Sequence, residues 1–298
     1  MKIIEPIEMT DAKLSFASIA EDDAPLWDAS TAYVLNDKVI SLASHSVYVC
    51  EVGNTGIDPD TDIAATPNWT RLGATNRWKA FDLLISDPAI SANTIVYTVT
   101  PDRLVSGIAM FGLVADKVTI TVELGAAVLI YVIDLISYDD IDGFYSWLFS
   151  GVNKETEALR LDLPYLGAGT SYKVEISGVG SLQVGQIVLG EVVDLGVTPW
   201  GSEVGIQDYS RKDRDIYGNA KILERRFSRT ASFQIGCDAR RVRRVQRKME
   251  QFRATPAVWI GDERAEYALV VFGFYTSYTH VLSHNNWSRA VIEVEGLV

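Results

Sequence analysis

The sequence predicts a mainly β protein: a short N-terminal arm, a small aromatic β module, an antiparallel sandwich, and a C-terminal β-sandwich or barrel with one α-helix. Three observations predict this. Residues 83–196 give a succession of short β-branched runs divided by Pro, Gly, Asp or Ala-rich turns, with no amphipathic helix between them. Helical periodicity stands out only at Val242, Val245, Met249 and Phe252, at intervals of three, four and three. Residues 27–82 carry the aromatic anchors Trp27, Tyr33, Tyr48 and Trp69, spaced by turn signals.

A chain of 298 residues exceeds one small core, so two to three domains are expected. No apolar run approaches the length of a spanning helix, and residues 1–5 contain no secretory apolar stretch. Synthesis in the cytoplasm is therefore expected, with any role outside the cell reached through assembly into a particle. Cys50 and Cys237 fall in different predicted domains and read as buried thiols. His45, His280 and His284 supply too little for a zinc site; the i, i+4 pair His280/His284 lies in a stretch that does not read as a helix. No metal and no cofactor are expected.

Charge is divided unevenly. Residues 1–196 hold 27 acidic and 11 basic side chains, whereas the remainder holds 12 and 16. Such a split suggests separate surfaces that face different neighbours.

In chain order, residues 1–25 offer two short strands and the acidic Glu21-Asp22-Asp23 linker. Two readings stand: a strand added to a later domain or to a neighbouring subunit, or an ordered terminus. On the first, deleting residues 1–20 weakens assembly more than monomer folding. Residues 26–82 follow as the aromatic module, with strand runs at 37–42 and 45–50 joined by Ala43-Ser44. Asp58-Pro59-Asp60-Thr61-Asp62 has the alternation of a calcium loop, but Ile63 replaces the required Gly and no Glu stands at the twelfth position, so a solvated turn is expected.

Trp27, Ala32-Tyr33, Asn36-Asp37, Val39, Tyr48, Cys50, Asn54, Gly56, Pro59 and Trp69 together resemble the small chitin-binding-type modules that accompany chitinases. Residues 73–82, GATNRWKAFD, with the opening MKIIEPIEMTD, resemble the start of bacteriophage tail-tip and baseplate-associated proteins. The resemblance implies a place in a virion tail and a carbohydrate-binding-type fold, used for saccharide contact or as rigid decoration. The glycan-binding candidates are Trp27, Tyr33, Trp69 and Trp78.

The strand pattern of 83–196 is similar to jelly-roll, galactose-binding-like modules. Within it, Asp139, Asp140 and Asp142 precede Phe144, Tyr145 and Trp147. Carboxylates beside rings suit sugar recognition, which adds Tyr145 and Trp147 to the candidates; rings packed back onto the sandwich have the same composition.

Residues 197–298 pass through an extended, charged loop at 202–219 to the helix predicted over 238–254, capped by Asp238 and stopped by Thr255-Pro256. Its outer faces bear Arg240, Arg241, Arg244 and Arg247, the subunit-contact candidates. Clustered Arg also suits phosphate, but the acidic chain and the lack of a base-reading motif favour carboxylate partners over nucleic acid. Strands, one helix, then strands resembles the units from which phage tail tubes and hubs assemble rings.

Two function classes follow. The first is a structural protein of a phage tail tip or baseplate, contacting copies of itself and other tail proteins, located in the virion and not an enzyme. The second is a receptor-binding or accessory protein directed at cell-surface glycan.

Overall fold

The computed structural model describes residues 1–62, 66–137, 143–149, 153–214, 217–263, 269–281 and 286–298. The chain is mainly β, as expected. Its main feature is a nine-stranded antiparallel sheet. In spatial order the strands are Glu157–Arg160, Gly107–Phe111, Gln186–Asp194, Lys2–Pro6, Ala257–Ile260, Val270–Val281, Trp287–Gly296, Phe227–Asp238 and Glu203–Asp208. A five-stranded sheet runs Ala127–Asp134, Lys117–Leu124, Ser171–Ser177, Ile95–Val99 and Leu14–Ala17.

Alternation along the strands decides what each face of the large sheet covers. Ile108, Met110, Ile187 and Leu189 point toward the five-stranded sheet and share a core with Tyr97, Val118, Ile120, Tyr172 and Val174. That packing makes the expected sandwich. Its two fully buried tyrosines keep their hydroxyls satisfied, Tyr97 donating to the Arg77 carbonyl at 3.1 Å and Tyr172 to the Val105 carbonyl at 3.0 Å. The opposite face carries Ala109, Phe111 and Val188, which join Ile4, Val258, Ile260 and Phe272 in a second core. A third core lies under the helix Val242–Gln251, where Val245, Met249 and Phe252 meet Ile3, Phe233, Trp259 and Ile292.

The two ends of the large sheet approach each other. Glu157, on one edge strand, forms an ion pair with Arg229, seven strands away in the spatial order. The sheet therefore curls toward a barrel, and the core around Ile4 and Phe272 lies inside the curl.

The N-terminus takes the first of its two readings in its intramolecular form, adding a strand to later segments of the chain. Lys2–Pro6 pairs with Gln186–Asp194 on one side and Ala257–Ile260 on the other, inside its own chain. Ile3 and Ile4 are fully buried on opposite faces. This strand is interior to the fold and ties segment 83–196 to segment 197–298 in one sheet. Deleting residues 1–20 is therefore expected to cost folding as well as any assembly, since Ile3 and Ile4 leave the core with it. Backbone crowding shows how tight the junction is: a Cβ on Gly190 would sit 1.7 Å from the Glu5 carbonyl oxygen.

The aromatic module is a three-stranded sheet, Lys38–Ser41, Ser46–Cys50 and Trp69–Ala74, with the hairpin where the sequence places it. Asn36 has φ 72°, the left-handed conformation its turn demands and Asn tolerates. The Asp58–Asp62 turn serves the module itself. Asp60 accepts from the Tyr48 hydroxyl at 2.8 Å, and Asp62 accepts from the backbone N–H of Asn68 at 2.6 Å.

Candidate functional site

The glycan-binding candidates divide by burial. Tyr33, Trp69 and Trp78 are buried and present no open ring face to a sugar. Each is held by its own contacts. Trp69 meets Tyr33 edge-on at 5.1 Å and donates its indole N–H to the Ile57 carbonyl at 2.9 Å. Trp78 belongs to the sandwich core and stacks on His45 at 4.1 Å. His45 in turn places its two ring nitrogens 3.0 Å from Asp11 and 3.1 Å from Glu21, which clamps the module to the N-terminal segment. Trp27 is half-buried against the module core.

Tyr145 differs. It lies on a short helix, Phe144–Phe149, where the sequence predicts no helix, and it is 77% exposed and stacked with the equally exposed Phe149. The Trp147 side chain, Asp139, Asp140, Asp142 and His284 lie outside the described residues.

The predicted helix is present, shortened at both ends. Asp238 caps a 3-10 turn, Ala239–Arg241, by accepting from the Arg240 backbone N–H at 2.8 Å, and the α-helix proper begins at Val242. Of its cations, Lys248 pairs with Glu5 at 3.0 Å and Arg241 lies 3.7 Å from Asp194. Arg240, Arg244 and Arg247 are exposed and have no ion-pair partner among the described residues, as do Arg243 and Arg253.

Residues 202–219 read as an extended, charged loop, but strands form there. Glu203–Asp208 forms the last strand of the large sheet, and the chain then extends as the hairpin Arg211–Arg214 with Ala220–Leu223. Every residue of both hairpin strands is exposed. Ile206 and Ile222 are about 70% exposed, which places two large aliphatic side chains in water. The signal for these strands is faint because the residues alternate without facing a core.

The curl of the large sheet leaves a cavity of about 350 Å³. Phe111 and Phe272, stacked at 5.7 Å, form part of its wall with Ile85, Val270 and Leu297. The Glu157–Arg229 pair also lines it. Burial pushes the Glu157 carboxyl above its ordinary range, and the Arg229 guanidinium pulls it back. No sequence motif announces this cavity, since its walls come from strands far apart in the chain.

The described residues therefore present two exposed surfaces, the 203–223 segment and the basic helix, and an apolar cavity. No family model, no curated protein and no solved structure matches this chain.

Proposed function

We propose that this protein is a structural component of a bacteriophage tail tip or baseplate that assembles with copies of itself into an oligomeric ring and displays its aromatic module. The observation that carries the proposal is the arm at 203–223, which holds Ile206, Ile222 and Leu223 outside any core. Large aliphatic groups exposed on an edge strand and on the hairpin that follows it suit burial against another protein surface. The likeness of residues 1–11 and 73–82 to the start of tail-tip and baseplate-associated proteins supplies the setting, and Tyr33 and Trp69, buried in the module's own core, with Trp78, buried in the sandwich core, favour display over sugar stacking.

The test is light scattering behind size exclusion, with electron microscopy of the peak. A defined ring is expected. The paired change Ile206→Ser with Ile222→Ser should yield monomer while unfolding free energy stays within about 0.5 kcal/mol, the usual range for surface changes. A wild-type monomer at every concentration sinks the proposal.

The second reading, a receptor-binding protein for cell-surface glycan, rests on the exposed Tyr145 and Phe149 rings. Binding on a glycan array that is lost with Tyr145→Ala would favour it.

A further inference from the structure

The outer face of the helix Val242–Gln251 has no partner within the described chain, and its composition indicates what covers it. Residues 208–253 carry 14 basic and 6 acidic side chains, a net +8. Residues 21–62, the linker and most of the aromatic module, carry 9 acidic side chains and a single lysine, a net −8. Arg211, Arg229, Arg241 and Lys248 pair within the chain, whereas Arg240, Arg243, Arg244, Arg247 and Arg253 have no ion-pair partner among the described residues; residues 63–82 of the module add Arg71, Arg77 and Lys79 against Asp82 and leave residues 21–82 at a net −6. Asp22, Asp23, Asp28 and Glu51 have no Lys or Arg within ion-pair reach among the described residues, and no ion pair joins the helix to the module within one chain.

We infer that the basic helix face of one copy docks on the acidic aromatic module of the next. This rests on the ring-forming proposal and adds a second contact to the one assigned to residues 203–223. Two different surfaces that complement each other give a heterologous, head-to-tail interface, which closes into a ring when the rotation between copies permits. Opposed charge also fixes orientation, since helix against helix or module against module would place like charges together.

Charge reversal tests it. Arg244→Glu with Arg247→Glu is the helix variant, and Asp22→Arg with Glu51→Arg is the module variant; none of these side chains has an ion-pair partner among the described residues. Sedimentation velocity should show each variant as monomer, and the chain carrying all four changes should regain the wild-type oligomer. Wild-type affinity should fall about tenfold or more between about 0.05 and 0.5 M NaCl, as screening predicts.

If wild-type rings form and both reversals leave them intact, the inference is wrong and the ring proposal stands. If the wild type is monomeric at every salt concentration, the ring proposal fails and this contact with it. If only the helix variant fails to associate, and a short DNA duplex binds wild type but not that variant, the helix face belongs to nucleic acid and the inference is overturned.

Discussion

Two strands of the same sheet illustrate opposite uses of apolar side chains. In Lys2–Pro6, Ile3 and Ile4 are fully buried on opposite faces, and the backbone is paired along both sides. In Glu203–Asp208, at the far edge, Val204 and Ile206 are exposed and one side of the backbone has no strand beside it. Both segments alternate or cluster β-branched residues, so composition does not separate them. What separates them is neighbours. A strand flanked by strands and covered on both faces stabilises the monomer, whereas an edge strand with bare aliphatics adds little to the monomer and much to any surface that covers it.

The largest expected effect comes from breaking the interior member of that pair. Gly190→Ala would force a methyl group against the Glu5 carbonyl, where the paired backbones leave no room. The strands would have to part, exposing Ile3 and Ile4. We expect a loss of about 4 kcal/mol or more, in the range where core disruption stops folding, read by urea denaturation. Loss of less than about 1 kcal/mol would mean that this junction is looser than its geometry states. The matching arm substitutions at Ile206 and Ile222 sharpen the contrast, because they should change assembly and leave unfolding alone.

The same distinction explains what was legible in the sequence. Strands with a buried face, such as Lys117–Leu124 and Ser171–Ser177, were readable because burial imposes alternation, and their burial does alternate. The helix was readable through Val245, Met249 and Phe252, all of which are buried. The arm strands were missed because no core dictates their pattern. Membership in one sheet was hidden as well: Lys2–Pro6 joins strands nearly 190 and 255 residues away, and nothing local encodes that pairing. Among the candidate ring positions, aromatic type was legible and burial was not. Trp78 reads as a possible stacking platform, but it is held inside the sandwich core by packing that only the assembled strands create.

A smaller effect tests the loop that leads from the module toward the cavity. Asp82 accepts from the Leu84 backbone N–H at 2.9 Å through one oxygen, while its other oxygen is buried without a hydrogen-bond partner. Burial raises its pKa from 3.8 to about 6, with Asp87 adding to the rise and the Leu84 hydrogen bond and Lys79 opposing it. The folded chain thus binds this proton more tightly than the unfolded chain. The sign follows: the stability it contributes is full below about pH 4, declines as pH rises toward about 6, and is absent above that. Asp82→Asn should therefore stabilise the protein at pH 7 by about 1–2 kcal/mol, allowing for partial solvent access, with the gain vanishing near pH 4. An equal gain at both pH values would show that charge is not its cause.

The smallest effect lies where the basic helix ends. The helix stops at Gln251, Phe252 donates its N–H to the Lys248 carbonyl at 3.0 Å, and the chain turns away through Ala254 at φ 57°. That left-handed conformation crowds a Cβ against its own backbone, and glycine adopts it freely. Ala254 is exposed, so its methyl group contributes little packing. Ala254→Gly should therefore raise stability by about 0.5–1 kcal/mol, even though glycine also gains freedom in the unfolded chain and thereby loses part of the benefit. Thermal unfolding of the two chains under monomeric conditions measures it. The sign carries the information: a loss on replacement would mean that the Ala254 methyl makes a contact that outweighs the backbone strain, and the helix end would then be held by packing rather than released into its turn.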